Sequence, residues 1–341
     1  LFQLDAEKAH RLTLTALRAM PNLASEPVDP MLASQVAGIC FPNPVGLAAG
    51  FDKDGEVVHK MHVLGFGFAE LGTLTPMPQR GNPKPRLFRL VEDEAVINRM
   101  GFNNHGQNAA ASRLGGISRR GNVIGINIGA NKDAQDRIAD YAAGVHAMAP
   151  HADYLTINIS SPNTPGLRAL QDKGALDGLL EAVKLARATV VEKGGSPFPI
   201  FLKVAPDLET ADIDHIARSC ISHGIDALIV SNTTISRPSL RSRHAAEGGG
   251  LSGAPLRDLA QRRLQDFRSA VGDQLPLIAA GGIATAEDAY ARIRAGAALV
   301  QLYSALVYEG PMLARRINAG LKLLLEQDGF ANIADAVGTN A

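Results

Sequence analysis

From residue 43 onward, short apolar runs alternate with amphipathic stretches. Eight runs read as strands: Pro44–Ala49, Phe68–Leu74, Val123–Ile128, Tyr154–Ile159, Ile200–Val204, Ala227–Val230, Leu275–Ala280 and Leu299–Tyr303. Most are continuously apolar rather than alternating, as parallel strands buried on both faces are. Helical periodicity follows in Glu56–Leu64, Asn104–Leu114, Ile138–Met148, Leu176–Val191, Ile213–Ser222, Pro255–Ala270, Ala286–Arg294 and Met312–Glu326. Eight strand–helix units over about 285 residues predict an α/β fold, a closed (β/α)₈ TIM barrel. A doubly wound sheet is the alternative, but no GxGxxG or GxxxxGK follows the first strand.

Two segments fall outside the repeat. Thr75–Asn103 is rich in Pro, Gly and Arg and too long for a simple connection, so it reads as an ordered excursion over the barrel top. Residues 1–36 precede the barrel. Asp5–Met20 is predicted as one helix with Leu12, Ala16, Leu17 and Met20 along one side, and Asp29–Val36 as a second short helix with Pro30 near its start. The expected division is a small N-terminal helical extension, 1–36, and a barrel domain, 37–341.

Charge and composition narrow the function classes. Thirty-four basic residues balance thirty-four acidic ones, which gives no support for a nucleic-acid partner. Cys40 and Cys220 are far apart and read as two buried thiols in a reducing compartment. His59 and His62 share a helix face but have no third ligand nearby, and neither HExxH nor CxxC occurs, so no metal site is expected. No apolar run reaches the roughly 18 residues of a membrane-spanning helix.

Barrel enzymes place their chemistry at strand C-termini. Those ends read Ala48-Ala49-Gly50-Phe51-Asp52-Lys53, Gly72-Thr73, Asn127-Ile128-Gly129, Asn158-Ile159-Ser160-Ser161-Pro162-Asn163, Lys203, Ser231-Asn232-Thr233-Thr234, Gly281-Gly282 and Tyr303-Ser304. A turn role competes for each residue singly, but so many polar endings on one rim point to a site. Gly281-Gly282 and Tyr303-Ser304 occupy the usual barrel phosphate position, where glycine lets backbone N–H groups approach closely. Gly248–Gly253 offers further amides, or else a flexible loop. A buried lysine such as Lys203 must meet negative charge. It could form a Schiff base with a carbonyl substrate, as in aldolases, or stabilise an anionic cofactor such as a flavin. The loop Ser160–Lys173 reads as a hinged lid.

Several of these segments together resemble one family. Asn158-Ile-Ser-Ser-Pro-Asn-Thr-Pro-Gly-Leu-Arg168, Leu47-Ala-Ala-Gly-Phe-Asp-Lys-Asp-Gly55, Asn98-Arg-Met-Gly-Phe-Asn-Asn104, Ser231-Asn-Thr-Thr234 and Gly249-Gly-Leu-Ser-Gly253 are similar to motifs of the class 2, quinone-dependent dihydroorotate dehydrogenases. The resemblance spans nearly the whole chain. It implies FMN-dependent oxidation of (S)-dihydroorotate to orotate in pyrimidine biosynthesis, with a membrane quinone as acceptor.

Carried over by motif, FMN contacts are Ala49, Gly50, Phe51, Asp52, Lys53, Thr73, Asn127, Asn158, Lys203, Ser231, Gly253, Gly282, Tyr303 and Ser304. Substrate contacts are Lys53, Asn98, Arg99, Met100, Gly101, Phe102, Asn158, Asn163, Asn232 and Thr233. Asparagine offers both donor and acceptor, which suits the carbonyls and N–H groups of an orotate ring. Ser161 matches the family's base, which removes a proton from C5 while C6 passes a hydride to flavin N5. Thr164 and Phe102 resemble residues that order a water or shape the pocket beside it. The extension would rest on a membrane surface and form the quinone tunnel, with His10 and Arg89 at its entrance. A monomer on the cytoplasmic face of a bacterial inner membrane is expected. The competing enzyme reading is a Schiff-base aldolase using Lys203.

Overall fold

The protein is described from a computed structural model covering residues 2–21, 27–117, 122–172 and 174–341. Helix α1 (Ala6–Ala19) opens at Asp5, whose side chain accepts the Lys8 N–H. It buries Leu14 and Leu17, while Leu12 and Ala16 stay exposed on another side of the helix. Its carboxylates and their partners tie it down. Glu7 takes two hydrogen bonds from Arg86, Glu56 pairs with Arg11 and Arg18, and the Lys60 ammonium donates to the carbonyls of Arg18 and Met20 at the helix end.

The second helix expected at Asp29–Val36 is not formed. A single turn at Pro30 is followed by β1 (Ser34–Val36), which pairs antiparallel with β2 (Ile39–Phe41). Ala37 and Gly38 both adopt positive φ between them, the backbone of a tight hairpin turn. The expected division at residues 36 and 37 therefore falls inside this hairpin. Val36 and Phe41 pack among Phe68, Tyr154 and Phe201 and plug the N-terminal end of the barrel.

The barrel begins with β3 (Val45–Leu47) and β4 (Phe68–Leu74). The helix expected at Glu56–Leu64 is a 3₁₀ helix, Val58–Leu64, because the Asp52 carboxylate gathers the N–H groups of Glu56, Val57 and Val58 into one tight turn. The excursion follows as β5 (Leu87–Leu90) and β6 (Ala95–Asn98), then α2 (Gln107–Leu114). The regular units come next: β7 (Val123–Ile128), α3 (Arg137–Met148), β8 (Tyr154–Asn158), α4 (Ala175–Glu192), β9 (Ile200–Val204), α5 (Thr210–His223) and β10 (Ala227–Val230). The chain closes with β11 (Gly250–Gly253), α6 (Arg257–Val271), β12 (Leu277–Ala280), α7 (Ala286–Arg294), β13 (Ala297–Leu302), α8 (Ala305–Glu309) and α9 (Leu313–Asp328).

Strands β3, β4, β7, β8, β9, β10, β12 and β13 pair in parallel and close on themselves. The (β/α)₈ barrel is thus as predicted. Gly248–Gly253 is no free loop: β11 joins β6 and β5 in a three-stranded antiparallel sheet, around Phe88, Leu90, Ala95, Ile97 and Leu251. Cys220 is buried, but Cys40, expected buried, is exposed on the hairpin. No described helix is long and apolar enough to cross a membrane.

The barrel interior is layered by the two-residue period of its strands. Phe68, Tyr154 and Phe201 form an aromatic lower layer, with the Tyr154 and Phe201 rings stacked at 4.4 Å. Space for these rings comes from glycine: a Cβ on Gly46 would lie 2.2 Å from the Phe68 ring, and one on Gly125 2.1 Å from Tyr154. Two residues on along the same strands stand Glu70, Thr156 and Lys203, so the core turns polar toward its C-terminal mouth.

Candidate active site

At that mouth lies a cavity of about 960 Å³. Its floor and walls combine the ends of seven strands, and it continues beneath α1 past Ala9, His10, Leu12, Ala16 and Met20. The residues of α1 that pack on no core therefore face an apolar extension of the same space.

The polar part is a connected set of amides. Asn127 accepts from Thr73 Oγ1 (2.6 Å) and Asn158 Nδ2 (3.1 Å). Asn158 accepts from Ser160 Oγ (2.9 Å), which in turn accepts from Asn232 Nδ2 (2.9 Å). Asn163 donates to Asn98 Oδ1 at 3.1 Å, joining the loop after β8 to the end of β6. Phe102 holds φ +53, an unusual backbone for an aromatic residue. Hydrogen bonds from Gln79 and Asn104 to its carbonyl maintain that conformation.

Three cations surround the cavity. The Lys53 ammonium donates to the Gly50 carbonyl. Burial pushes its pKa down to about 8, opposed by the charge of Asp54 and Glu7. Burial also lowers Lys203, with the Glu70 charge pulling the other way. Among the described residues no hydrogen-bond acceptor is found for the Lys203 ammonium. Arg292, 2% exposed, donates to the carbonyls of Arg257 and Gly281 beneath the glycine rim. Burial pushes it down to about 10.

On the rim itself, the N–H groups of Gly281, Gly282 and Ser304 meet no protein acceptor among the described residues, and all three residues line the cavity. Gly282 is required twice over: its φ is +69, and a Cβ would lie 2.3 Å from Arg257 Cα. Free amides beside a buried guanidinium suit a phosphate, and an unpaired buried ammonium suits an electron-rich heterocycle.

Ser161 is buried and lines the cavity, its Oγ accepting the Asn163 N–H at 3.3 Å. Thr164, also buried, leaves its hydroxyl without a protein partner. The loop bearing them is pinned by Arg168, which donates to the carbonyls of Ser160 and Thr233 and to the Asp207 carboxylate. Asp207 also receives Ser236 and the Ile235 N–H. Residue 173, the far end of the expected lid, lies outside the described residues.

Most motif-derived candidates meet in this cavity: Ala49, Gly50, Phe51, Lys53, Thr73, Asn98, Met100, Gly101, Phe102, Asn158, Ser161, Asn163, Lys203, Ser231, Asn232, Thr233, Gly253, Gly282, Tyr303 and Ser304. Of the FMN and substrate candidates three do not line it, and neither does Thr164. Asp52 turns inward to cap the 3₁₀ helix. Arg99 pairs with Glu247 and covers the Phe88 ring. Asn127 stands one layer below, against Glu70. His10 and Arg89 both reach the cavity's far part. The His10 ring meets Phe51 edge-on at 5.2 Å. Burial, then the Lys53 charge, pushes it down to about 4. Arg89 donates to the backbone of Phe2 and Leu4 and covers the Phe2 ring.

Glu70, Arg168 and Arg292 were not singled out from sequence. The available signal was a charge inside an apolar strand or at the buried face of a helix. Arg168 closes a quoted motif but carried no stated role.

The profile of the family described as Dihydroorotate dehydrogenase matches residues 31–325, beyond α1. A curated protein named dihydroorotate dehydrogenase (quinone) from Sphingopyxis alaskensis is 63% identical over 99% of this chain and 94% of its own. Another of that name, from Erythrobacter litoralis, is 61% identical over 98% and 96%. A crystal structure of DHODH from Eimeria tenella in complex with ferulenol superposes with a TM-score of 0.94 at 41% identity, covering 98% of this chain and 96% of that one.

Proposed function

The chain belongs to the dihydroorotate dehydrogenase family, and from that premise we propose that it oxidises (S)-dihydroorotate to orotate, in pyrimidine biosynthesis, with FMN as cofactor and a quinone as oxidant. Membership sets aside the Schiff-base aldolase reading of Lys203. One observation carries the proposal: a single cavity joins a polar pocket containing Ser161 to an apolar passage under α1. A polar substrate and a lipophilic oxidant need those two environments.

The residues present fit FMN. The free N–H groups of Gly281, Gly282 and Ser304 would hold the phosphate, with Arg292 adding positive potential behind them. Lys203 would sit at the pyrimidine edge, where the ring gains charge. When bound, FMN supplies the hydride acceptor at the substrate's C6 and the two-electron carrier to the quinone.

The protein's own groups do the rest. Lys53 pairs with the substrate carboxylate, and the side chains of Asn98, Asn163 and Asn232 meet the ring's carbonyls and N–H groups. Ser161 takes the C5 proton while its own hydroxyl proton passes to the water that Thr164 and Phe102 would order beside it. The Asn163 N–H stabilises charge that develops on the Ser161 oxygen, and exclusion from water, which the Arg168 clamp on this loop maintains, keeps that oxygen poorly solvated and so more basic once charged. His10, Phe51 and Tyr303 line the start of the apolar passage, and Arg89 its outer part. Helix α1 acts as the quinone and membrane-surface module and the chain from the β1–β2 hairpin onward as the catalytic barrel, in a monomer on the cytoplasmic face of a bacterial inner membrane. The exposed apolar residues Phe2, Leu4 and Leu12 on the extension support its placement at a membrane surface.

Anaerobic titration tests the proposal. Yellow protein should bleach with one equivalent of dihydroorotate and regain colour with a quinone but not with NAD⁺ or fumarate. Protein that cannot be loaded with flavin, or that never bleaches, refutes it.

A further inference from the structure

Beneath the amide set, Glu70 is fully buried in the barrel and lines no part of the cavity. It nevertheless joins four strands. Its Oε1 accepts from Asn127 Nδ2 at 2.8 Å, and its Oε2 from Tyr154 (3.2 Å), Thr156 (3.0 Å) and Gln301 Nε2 (3.1 Å). The mechanism above does not use this group. We infer that Glu70 is a positioning residue that fixes how the amides of Asn127 and Gln301 are turned, and through Asn127 the amide of Asn158 that lines the ligand pocket.

The argument is one of donor and acceptor count. An ionised carboxylate only accepts, so both amides beside it must turn their NH₂ groups inward. Asn127 then presents its oxygen upward, where it receives Thr73 and the NH₂ of Asn158. Asn158 in turn shows its oxygen to Ser160, and the Ser160 oxygen is left to receive Asn232. On the other side, Gln301 lines the cavity, and its side-chain oxygen is buried and has no protein partner among the described residues. The Tyr154 phenol remains a donor, because burial and then the Glu70 charge raise its pKa well above the ordinary value.

Replacing Glu70 by its isostere exposes the logic. In Glu70→Gln one carboxylate oxygen becomes NH₂, and on either side that group meets an NH₂, of Asn127 or of Gln301. The two hydroxyls can reorient without cost to the pocket, but an amide must turn over. If Asn127 turns, its NH₂ opposes that of Asn158. If Gln301 turns, an NH₂ group replaces its unpartnered oxygen at the edge of the cavity. Either way a residue that lines the pocket is affected, Asn158 through its lost partner or Gln301 by turning over.

This inference rests on the proposed orotate site, so the test separates the two. Orotate is titrated into flavin-loaded protein, followed by the flavin absorbance change. If wild-type protein binds no orotate, the proposed function fails. If it binds, Glu70→Gln should weaken orotate about tenfold or more, the effect of one mispaired buried polar group. The double variant Glu70→Gln/Gln301→Glu returns an acceptor-only group to the cluster and should recover most of that loss, which a merely structural role for Glu70 would not produce. Wild-type affinity in Glu70→Gln, or no recovery in the double variant, overturns the inference. Should neither variant fold, neutron diffraction from the wild-type holoenzyme decides. Deuterium on Asn127 Nδ2 directed at an ionised Glu70 is expected, and a deuterated carboxyl group or a reversed Asn127 refutes it.

Discussion

Raising the pH should weaken orotate binding through Lys53, by an amount that follows from its burial. The ammonium lies in the interior wall of the cavity, and loss of hydration brings its pKa from 10.5 to about 8. Only the protonated form can pair with the substrate carboxylate. Since the folded pKa is depressed, the free site is charged well below pH 8 and neutral well above it. Affinity is therefore at its maximum on the acid side and falls as pH rises through 8. For a binding-competent form with that pKa, the apparent Kd should be nearly constant below about pH 7, roughly elevenfold higher near pH 9 and roughly thirtyfold higher near pH 9.5. A surface lysine would give almost no change over the same range. Flavin difference spectra recorded during orotate titration measure Kd directly, and the slope should vanish in Lys53→Gln, whose affinity is low throughout. A flat wild-type profile between about pH 7 and about pH 9.5 would refute the argument, because either the amine is not desolvated or it is not the carboxylate's partner.

Ser161→Ala should slow flavin reduction by about 10²–10⁴-fold, as loss of a general base does, while orotate affinity stays near wild type; rapid-mixing absorbance separates the two, and an unchanged reduction rate excludes Ser161 as base. Gly282→Ala should cost about 2 kcal/mol or more, since it combines a left-handed backbone with a Cβ 2.3 Å from Arg257 Cα; urea denaturation gives the value, and wild-type stability would mean the rim shifts freely. His10, held neutral by a pKa of about 4, should leave the KM for a short-chain quinone unchanged from about pH 5.5 to about pH 7.5, the interval in which an ordinary histidine titrates. A bend near pH 6.5 would place His10 in water.

The barrel was legible because burial on both faces leaves its mark residue by residue. Continuous apolar runs such as Ala227–Val230 and Leu277–Ala280 have no other soluble explanation as plain as parallel strands. The same rule locates the site, since polar residues that end such runs must lie on one rim. That rule reaches Ser161, Asn127, Asn158, Asn163, Asn232, Gly281 and Gly282, whereas Asn98 and the role of Ser161 as base come only from the family resemblance.

Local pattern failed where a longer-range pairing competed with it. Asp29–Val36 has helical signals, but its strand partner lies across a two-residue turn and its apolar side chains fill the barrel floor. Gly248–Gly253 has no strand signal of its own. It becomes one because β6 offers an unpaired edge, and glycine fits where the backbone of Asn98 and Glu94 approaches.

The amino-acid pattern by itself determined the barrel, the rim and the residue types on it. Tertiary structure alone decided that Asp52 serves a helix rather than the cavity, that the second apolar side of α1 faces an internal passage, and that Glu70 stands under the amides. The reason is physical. Periodicity records whether a side chain is buried, because burial depends on the element's own face. Which partner it meets inside depends on strands separated by as many as 231 positions, as Glu70 and Gln301 are, and no local pattern encodes that meeting.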